Sequence, residues 1–210
     1  MGLVTKKAGS VKIVRKVIGL TGGIATGKST IAKLFVDAGV YVIDSDVLVK
    51  EFLKTPEIIA KMVQNFGNNS IDENRKINRK FMANLIFNDS QKRLVLNEII
   101  HPHVKKQIKI LLQKRVNNLV VVDVPLMYEA GFDVMMDEVI VVYTTPEIQL
   151  ERLMVRDCLT VESAKLRIAS QMSINEKRQL ADYVIDNCGT KQDLYHNFYK
   201  VYDEIKLGEK

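Results

Sequence analysis

Gly22-Gly23-Ile24-Ala25-Thr26-Gly27-Lys28-Ser29 fits the pattern G-x-x-x-x-G-K-[ST], a loop that grips the phosphates of a nucleotide. Phosphate oxygens need many donors at close range. Gly22, Gly23 and Gly27 permit the tight backbone that turns successive N–H groups inward around an anion. Ala25 and Thr26 are bulky for the loop but fill free positions of the pattern. Lys28 supplies a mobile cation for the β- and γ-phosphates, and the Ser29 hydroxyl is placed to ligate Mg²⁺.

Three further groups of charged residues can do chemistry. Asp44 and Asp46 stand together, where a carboxylate accepts a proton from an attacking hydroxyl or holds Mg²⁺. Asp46 reads as the base. Asp44 reads as structural or metal-linked, and either side chain can also cap a helix. Asp123 stands where a Mg²⁺ ligand or a simple loop-opening residue fits equally. Arg152 and Arg156, four apart, share a helix face that can reach a transferring phosphoryl group. With Glu151 and Asp157 beside them, an ordinary surface helix is the better reading of these residues taken alone. His101 and His103 fall on different helix faces with no cysteine or third histidine nearby, so packing or capping suits both better than a metal. Thr190-Lys191-Gln192-Asp193 imitates a guanine-reading element, and Asp186-Asn187-Cys188-Gly189 imitates the partner motif. The two are directly adjacent and follow the fifth strand, so no guanine-nucleotide switch is read from them.

The elements that must position these residues alternate. Val17-Ile18-Gly19-Leu20 is an apolar strand leading into the loop, and Ile31, Leu34, Phe35 and Ala38 recur at helical spacing after it, with Ala38-Gly39 as the cap. Val40–Ile43, Leu119–Val124, Val139–Tyr143 and Tyr183–Ile185 read as further strands, the third almost all valine, as a strand buried on both faces should be. Helices are expected at 46–54, 57–66, 78–88 and 90–115, with Pro102 kinking or restarting the last. Others are expected from Pro146 to about Asp157, at about 161–170 and 175–181, and from about Lys191. Such alternation predicts a five-stranded parallel sheet flanked by helices, the α/β fold of phosphate-loop kinases. Its core would comprise residues 14–46 and 117–205, with a helical lid at about 146–175. Residues 47–116 would form a separate helical lobe for the phosphate acceptor, and 1–13 a loose basic extension. Strand ends bind ligands in such sheets, which places the loop and Asp44-Ser45-Asp46 on one cleft.

Composition bounds the rest. The 210 residues, 47% hydrophobic, suit one such domain with an insertion, and no apolar run reaches the roughly 18 residues of a membrane span. Cys158 and Cys188 form neither a metal pattern nor a disulfide framework, which indicates a reducing cytoplasm. The net charge of +6 suits nucleic acid or bound polyphosphate. The basic residues are scattered: Lys6-Lys7, Lys105-Lys106 and Lys177-Arg178 are pairs, expected on solvated faces, which favours polyphosphate over nucleic acid.

The run Ile18–Ile24 into Gly27–Thr30, then Val42-Ile43-Asp44-Ser45-Asp46, Phe66-Gly67, Arg79, Phe87, Ile100-His101-Pro102 and Val124-Pro125-Leu126-Met127-Tyr128-Glu129 resembles the dephospho-coenzyme A kinase family. Gln149–Arg156 is similar to that family's lid helix, and Gln171, Ala181-Asp182 and Ile185-Asp186-Asn187 to its C-terminal pattern. Ser45 and Asn78 depart from the family's usual residues, and the likeness spans about Val17 to Gly189. The resemblance implies ATP-dependent, Mg²⁺-assisted transfer to the ribose 3′-hydroxyl of dephospho-CoA; separately, a monomer is expected. The resemblance puts the phosphate grip on Gly22 to Thr30, Ala25, Thr26 and Thr30 included, and makes Asp46 the base, with Lys28 and the lid arginines Arg152 and Arg156 on phosphate. It sets Thr21, Asp44, Arg79, Phe87 and His101 on the acceptor side, and Asn187 to Gly189 near the adenine. The alternatives are another nucleoside or nucleotide kinase, differing in the insertion, and a nucleic-acid-linked ATPase.

Overall fold

The computed structural model describes residues 16–114 and 118–208. The expected extension at 1–13 lies outside them, as does the side chain of Phe87. Five parallel strands are ordered β2-β3-β1-β4-β5: β1 Lys16–Gly22, β2 Tyr41–Asp44, β3 Leu119–Asp123, β4 Glu138–Tyr143 and β5 Tyr183–Asp186. All five residues of β3 are buried, which is why valine dominates that strand.

The helices are α1 Lys28–Asp37, α2 Ser45–Phe52, α3 Pro56–Phe66, α4 Arg79–Asn88, α5 Ser90–Gln113, α6 Pro146–Asp157, α7 Val161–Ala169, α8 Ile174–Leu180 and α9 Lys191–Leu207. Helix α5 covers nearly the whole of the expected 90–115 span and runs through Pro102 without restarting. A proline removes one backbone donor, and the tertiary packing of Ile100, Val104 and Ile108, all buried, holds the helix across that gap.

Two apolar clusters clasp the sheet. On one face Ile18, Leu20, Val121, Ile140, Val142 and Ile185 pack against Ile31 and Phe35 of α1 and Leu194, Phe198, Val201, Tyr202 and Ile205 of α9. On the other face Val120, Val122, Val139 and Val141 belong to one continuous cluster with Ile58, Met62, Phe66, Met82, Ile100, Val104 and Ile108. The helical insertion therefore does not stand apart from the sheet. Its buried face and the sheet's form a single core.

This topology places the site. Chain order reverses between β3 and β4 around central β1, and ligands in open parallel sheets bind beyond the carboxyl ends at such a point. There β1 ends in the glycine loop, β2 in Asp44 and β3 in Asp123, and the register pairs Asp44 with Asp123 and Leu20 with Asp123.

Candidate active site

The glycine loop is a cradle built from backbone. Ala25 (φ 62°) and Gly27 (φ 90°) both take left-handed conformations, which turn the chain around a concavity. Among the described residues the N–H groups of Ala25, Gly27, Lys28 and Ser29 meet no protein acceptor, whereas Thr26 N–H donates to Gly23 O at 3.3 Å and Thr30 N–H to Gly27 O at 3.0 Å. Unpaired N–H groups at the start of α1, with that helix's positive end behind them, suit a polyphosphate. The loop opens onto a cavity of about 540 Å³, also walled by Asp46, Pro125, Arg152, Arg156 and Gln171.

A second layer holds the loop in shape. Buried Asn187 donates its side-chain amide to Thr26 O at 2.8 Å, and a Cβ on Gly27 would collide with that amide. That hydrogen bond uses one donor of the Asn187 side chain to brace the loop. Gly189 sits against the Asp193 carboxylate at the start of α9. Buried Gln149 donates to Ile24 O at 2.9 Å, and Gln171 accepts from Ile24 N–H at 3.1 Å. Thr26 is itself buried, its hydroxyl on Gly23 O. Thr21, expected to face the acceptor, is fully buried and donates to Pro125 O at 3.0 Å, so it offers no atom to the cleft.

Lys177 overturns the expectation of a solvated Lys-Arg pair. Its ammonium is wholly buried, pairs with Glu129 at 2.9 Å, and donates to Pro125 O at 3.0 Å and, more weakly, to Gly22 O at 3.5 Å. Burial holds its pKa below the usual lysine value, while Glu129 pulls it back up. The same Glu129 oxygen accepts Met172 N–H at 3.0 Å. Lys177 thus ties the glycine loop, the Pro125–Glu129 loop and the start of the 171–177 segment into one knot. Sequence signals for it were absent, because a buried lysine beside Arg178 looks like any charged pair.

The carboxylates divide their work. Asp44 is the N-cap of α2 and accepts the N–H groups of Asp46 (2.8 Å) and Val47 (3.1 Å) through one oxygen. Capping thus falls to Asp44, and Asp46 stands in the first turn of α2. Asp123 is buried and forms an ion pair with Lys28. Burial raises its pKa, Lys28 opposes that rise, and the nearby charges of Asp44 and Asp46 add to it. Three carboxylates at one edge favour a cation among them, and Lys28 supplies it in this structure. Among the described residues no group of three or more His, Cys, Asp or Glu is arranged as a metal site. The donor set still fits Mg²⁺, which binds through one or two protein oxygens and the substrate's phosphates: exposed Ser29 and the Asp44 or Asp123 carboxylate lie at the cradle.

On the lid side, α6 carries both predicted arginines to the phosphate cavity. Arg156 also pairs with Asp157 (2.8 Å), which in turn holds Arg167 of α7 at 2.8 Å. A second cavity of about 550 Å³ lies between the sheet edge and the helical lobe. Its wall is mostly apolar, with Val49, Leu53, Met82 and Ile86, and Arg79, His101, Lys50 and Asn97 are among its polar groups. Asn78, in place of the family's usual residue, caps α4 through Phe81 N–H at 3.1 Å and sets Arg79 at the helix start. His101 packs edge-on against Phe132, and burial, aided by Lys105, keeps its pKa below the ordinary value. Asp46, Pro125 and Gln171 belong to the walls of both cavities.

The model of the dephospho-CoA kinase family matches residues 16–193. The dephospho-CoA kinase of Staphylococcus aureus strain N315 is 44% identical over 198 residues, 93% of this chain and 96% of that one. The crystal structure of TT1252 from Thermus thermophilus is similar with a TM-score of 0.78 at 29% identity, over 90% of this chain and 97% of that one. The dephospho-CoA kinase from Campylobacter jejuni is similar with a TM-score of 0.69 at 30% identity, over 92% and 98%.

Proposed function

The chain belongs to the dephospho-CoA kinase family, and we propose that it transfers the γ-phosphoryl group of ATP to the ribose 3′-hydroxyl of dephospho-CoA, giving CoA and ADP. The observation that carries this reading is the shared wall. A phosphate cradle and a larger-than-phosphate, mostly apolar cavity meet at Asp46, as donor and acceptor sites of a kinase must.

Each residue's part follows from its place. The free N–H groups of the loop and Lys28 hold the β- and γ-phosphates, with Lys28 exchanging Asp123 for phosphate oxygens. Asp46 orients the acceptor hydroxyl and takes its proton, while Asp44 fixes the helix turn on which Asp46 stands. Arg152 and Arg156 close over the charge that spreads onto the transferring group, a bidentate task suited to guanidinium. Mg²⁺, held by Ser29 and a strand-end carboxylate, would neutralise charge between the β- and γ-phosphates. The apolar lobe cavity takes the acceptor, with Arg79 and His101 among its polar contacts. The protein works as a cytoplasmic monomer, in keeping with its two free cysteines.

The test is ADP release from Mg-ATP with and without dephospho-CoA, beside AMP, CMP, adenosine and shikimate as acceptors. ADP formed only with dephospho-CoA, with CoA identified by mass, is the expected result. Product from another acceptor alone would overturn the assignment of the lobe cavity while keeping the kinase chemistry.

A further inference from the structure

Three residues stand on both cavity walls: Asp46, Pro125 and Gln171. Asp46 is an acceptor of protons, and Pro125 has no side-chain polar group. Gln171 is therefore the one side chain at the junction that can donate a hydrogen bond without carrying charge. Its orientation is set by chemistry. Ile24 N–H lies 3.1 Å from Oε1, and an N–H needs an oxygen acceptor, so Nε2 is the other end of the amide. Among the described residues Nε2 has no hydrogen-bond partner. The backbone beneath is pinned on both sides: Gln171 N–H donates to Ile168 O at 3.2 Å, and Met172 N–H to Glu129, itself held by buried Lys177. A half-buried amide with one end fixed on the phosphate loop and the other unpaired is preorganised for a ligand rather than left over from packing.

We propose that Gln171 is a catalytic residue whose Nε2 donates to a non-bridging oxygen of the phosphoryl group as it passes from donor to acceptor; the proposal rests on the kinase reading above. In that step the ribose oxygen forms its bond to phosphorus while the bond from phosphorus to the β–γ bridging oxygen breaks. ADP leaves with that electron pair, and the hydroxyl proton passes to Asp46. Gln171 makes and breaks no covalent bond. Its amide adds a donor where negative charge spreads, and its Oε1 couples that donor to the loop that holds the leaving group.

Two substitutions separate the donor from the brace. Gln171→Glu keeps the oxygen that accepts Ile24 N–H and removes the NH₂. Gln171→Met keeps the length and removes both. The readouts are kcat and KM for ATP and dephospho-CoA, ATP affinity by titration, and the melting temperature. Both variants are expected to lose roughly 100-fold in kcat at saturating substrates, the usual cost of one transition-state donor; Gln171→Met also leaves Ile24 N–H unpaired and Gln171→Glu adds negative charge beside the phosphates, so each weakens ATP binding as well. A residue that only braced Ile24 gives another pattern: Gln171→Met weakens ATP binding but reaches wild-type kcat at saturation. That pattern overturns the proposal, as does wild-type kcat in Gln171→Glu. If Gln171→Met does not fold, the kcat of Gln171→Glu against its ATP affinity decides alone. Wild-type protein that releases no ADP with dephospho-CoA fails the kinase reading itself, before any variant is compared.

Discussion

At the scale of single residues, Asp46 is the sharpest commitment. It stands on both cavity walls, and Asp44 relieves it of capping duty. Asp46→Asn keeps the shape and removes the base, so turnover should fall by roughly 100-fold or more while ATP affinity, measured by titration, stays within a few-fold of wild type. Comparable turnover in mutant and wild type would remove Asp46 from the reaction. His101 yields a prediction in pH. Its folded pKa lies below the ordinary 6.5 because burial and Lys105 disfavour the charged ring. Above 6.5 the ring is neutral folded or unfolded and the stability is full. As pH falls through 6.5 and then through the lower folded value, the unfolded chain takes up the proton first, and stability is lost. Melting temperature should therefore drop between about pH 7.5 and 5.5, and His101→Gln should flatten that part of the slope; an equal slope in the variant would assign it to other groups. What the sequence disclosed at this scale follows chemistry. Lys28 and Ser29 stood out because their spacing from the glycines is fixed, and Asp46 because it follows a strand end. Lys177 and Gln149 did not, because a buried support is recognised only by what surrounds it, and its neighbours come from segments remote in sequence.

At the scale of elements, the alternation of strands and helices was legible because each strand is a short valine- or isoleucine-rich run and each helix repeats its apolar residues at helical spacing. So was α5, expected at 90–115 and found at Ser90–Gln113, although the packing that carries it through Pro102 is tertiary. The false guanine motif finds its explanation here. Thr190 and Asp193 form a reciprocal capping box at the start of α9, with Thr190 N–H to Asp193 at 2.8 Å and Asp193 N–H to Thr190 at 3.2 Å. A polar residue followed three positions later by a carboxylate served a helix end, not a base. The glycine loop offers a matched pair of tests. Gly27 and Gly39 both have positive φ, 90° and 80°. A Cβ on Gly27 would strike the Asn187 amide, whereas nothing lies within 4 Å of one on Gly39. Gly39→Ala should cost about 1–2 kcal/mol of backbone strain alone, lowering the melting temperature by a few degrees and leaving ADP release intact. Gly27→Ala adds displacement of Asn187 from Thr26 O and should abolish measurable ATP binding. Equal ATP affinities in the two variants would contradict the role given to Asn187 as the brace of the loop.

At the scale of the whole molecule, the question is whether the acceptor lobe and the nucleotide core are one folding unit or two. The insertion is continuous in sequence, and α2 to α5 alone make a helical subdomain on paper. Packing argues otherwise. Ile58, Met62, Phe66, Ile100, Val104 and Ile108 share one buried cluster with Val120, Val122, Val139 and Val141 of the sheet. Exposing the lobe's inner face would also expose the sheet's, so neither part keeps its core without the other. The chain carries its own reporters for testing this. It has no tryptophan and seven tyrosines, at 41, 128, 143, 183, 195, 199 and 202, all outside residues 47–116. Tyrosine fluorescence therefore reports on the nucleotide core, while far-UV circular dichroism draws much of its signal from the lobe helices. Coincident denaturant transitions by the two probes are expected, with one midpoint and one slope. Mg-ATP should move both transitions together to higher denaturant, since a ligand bound to the core stabilises everything that unfolds with it. A helical signal that is lost at lower denaturant than the tyrosine signal, or that ATP fails to shift, would show that the lobe unfolds on its own. Asp46 would then ride on a helix free to move independently of the phosphate loop that it must face.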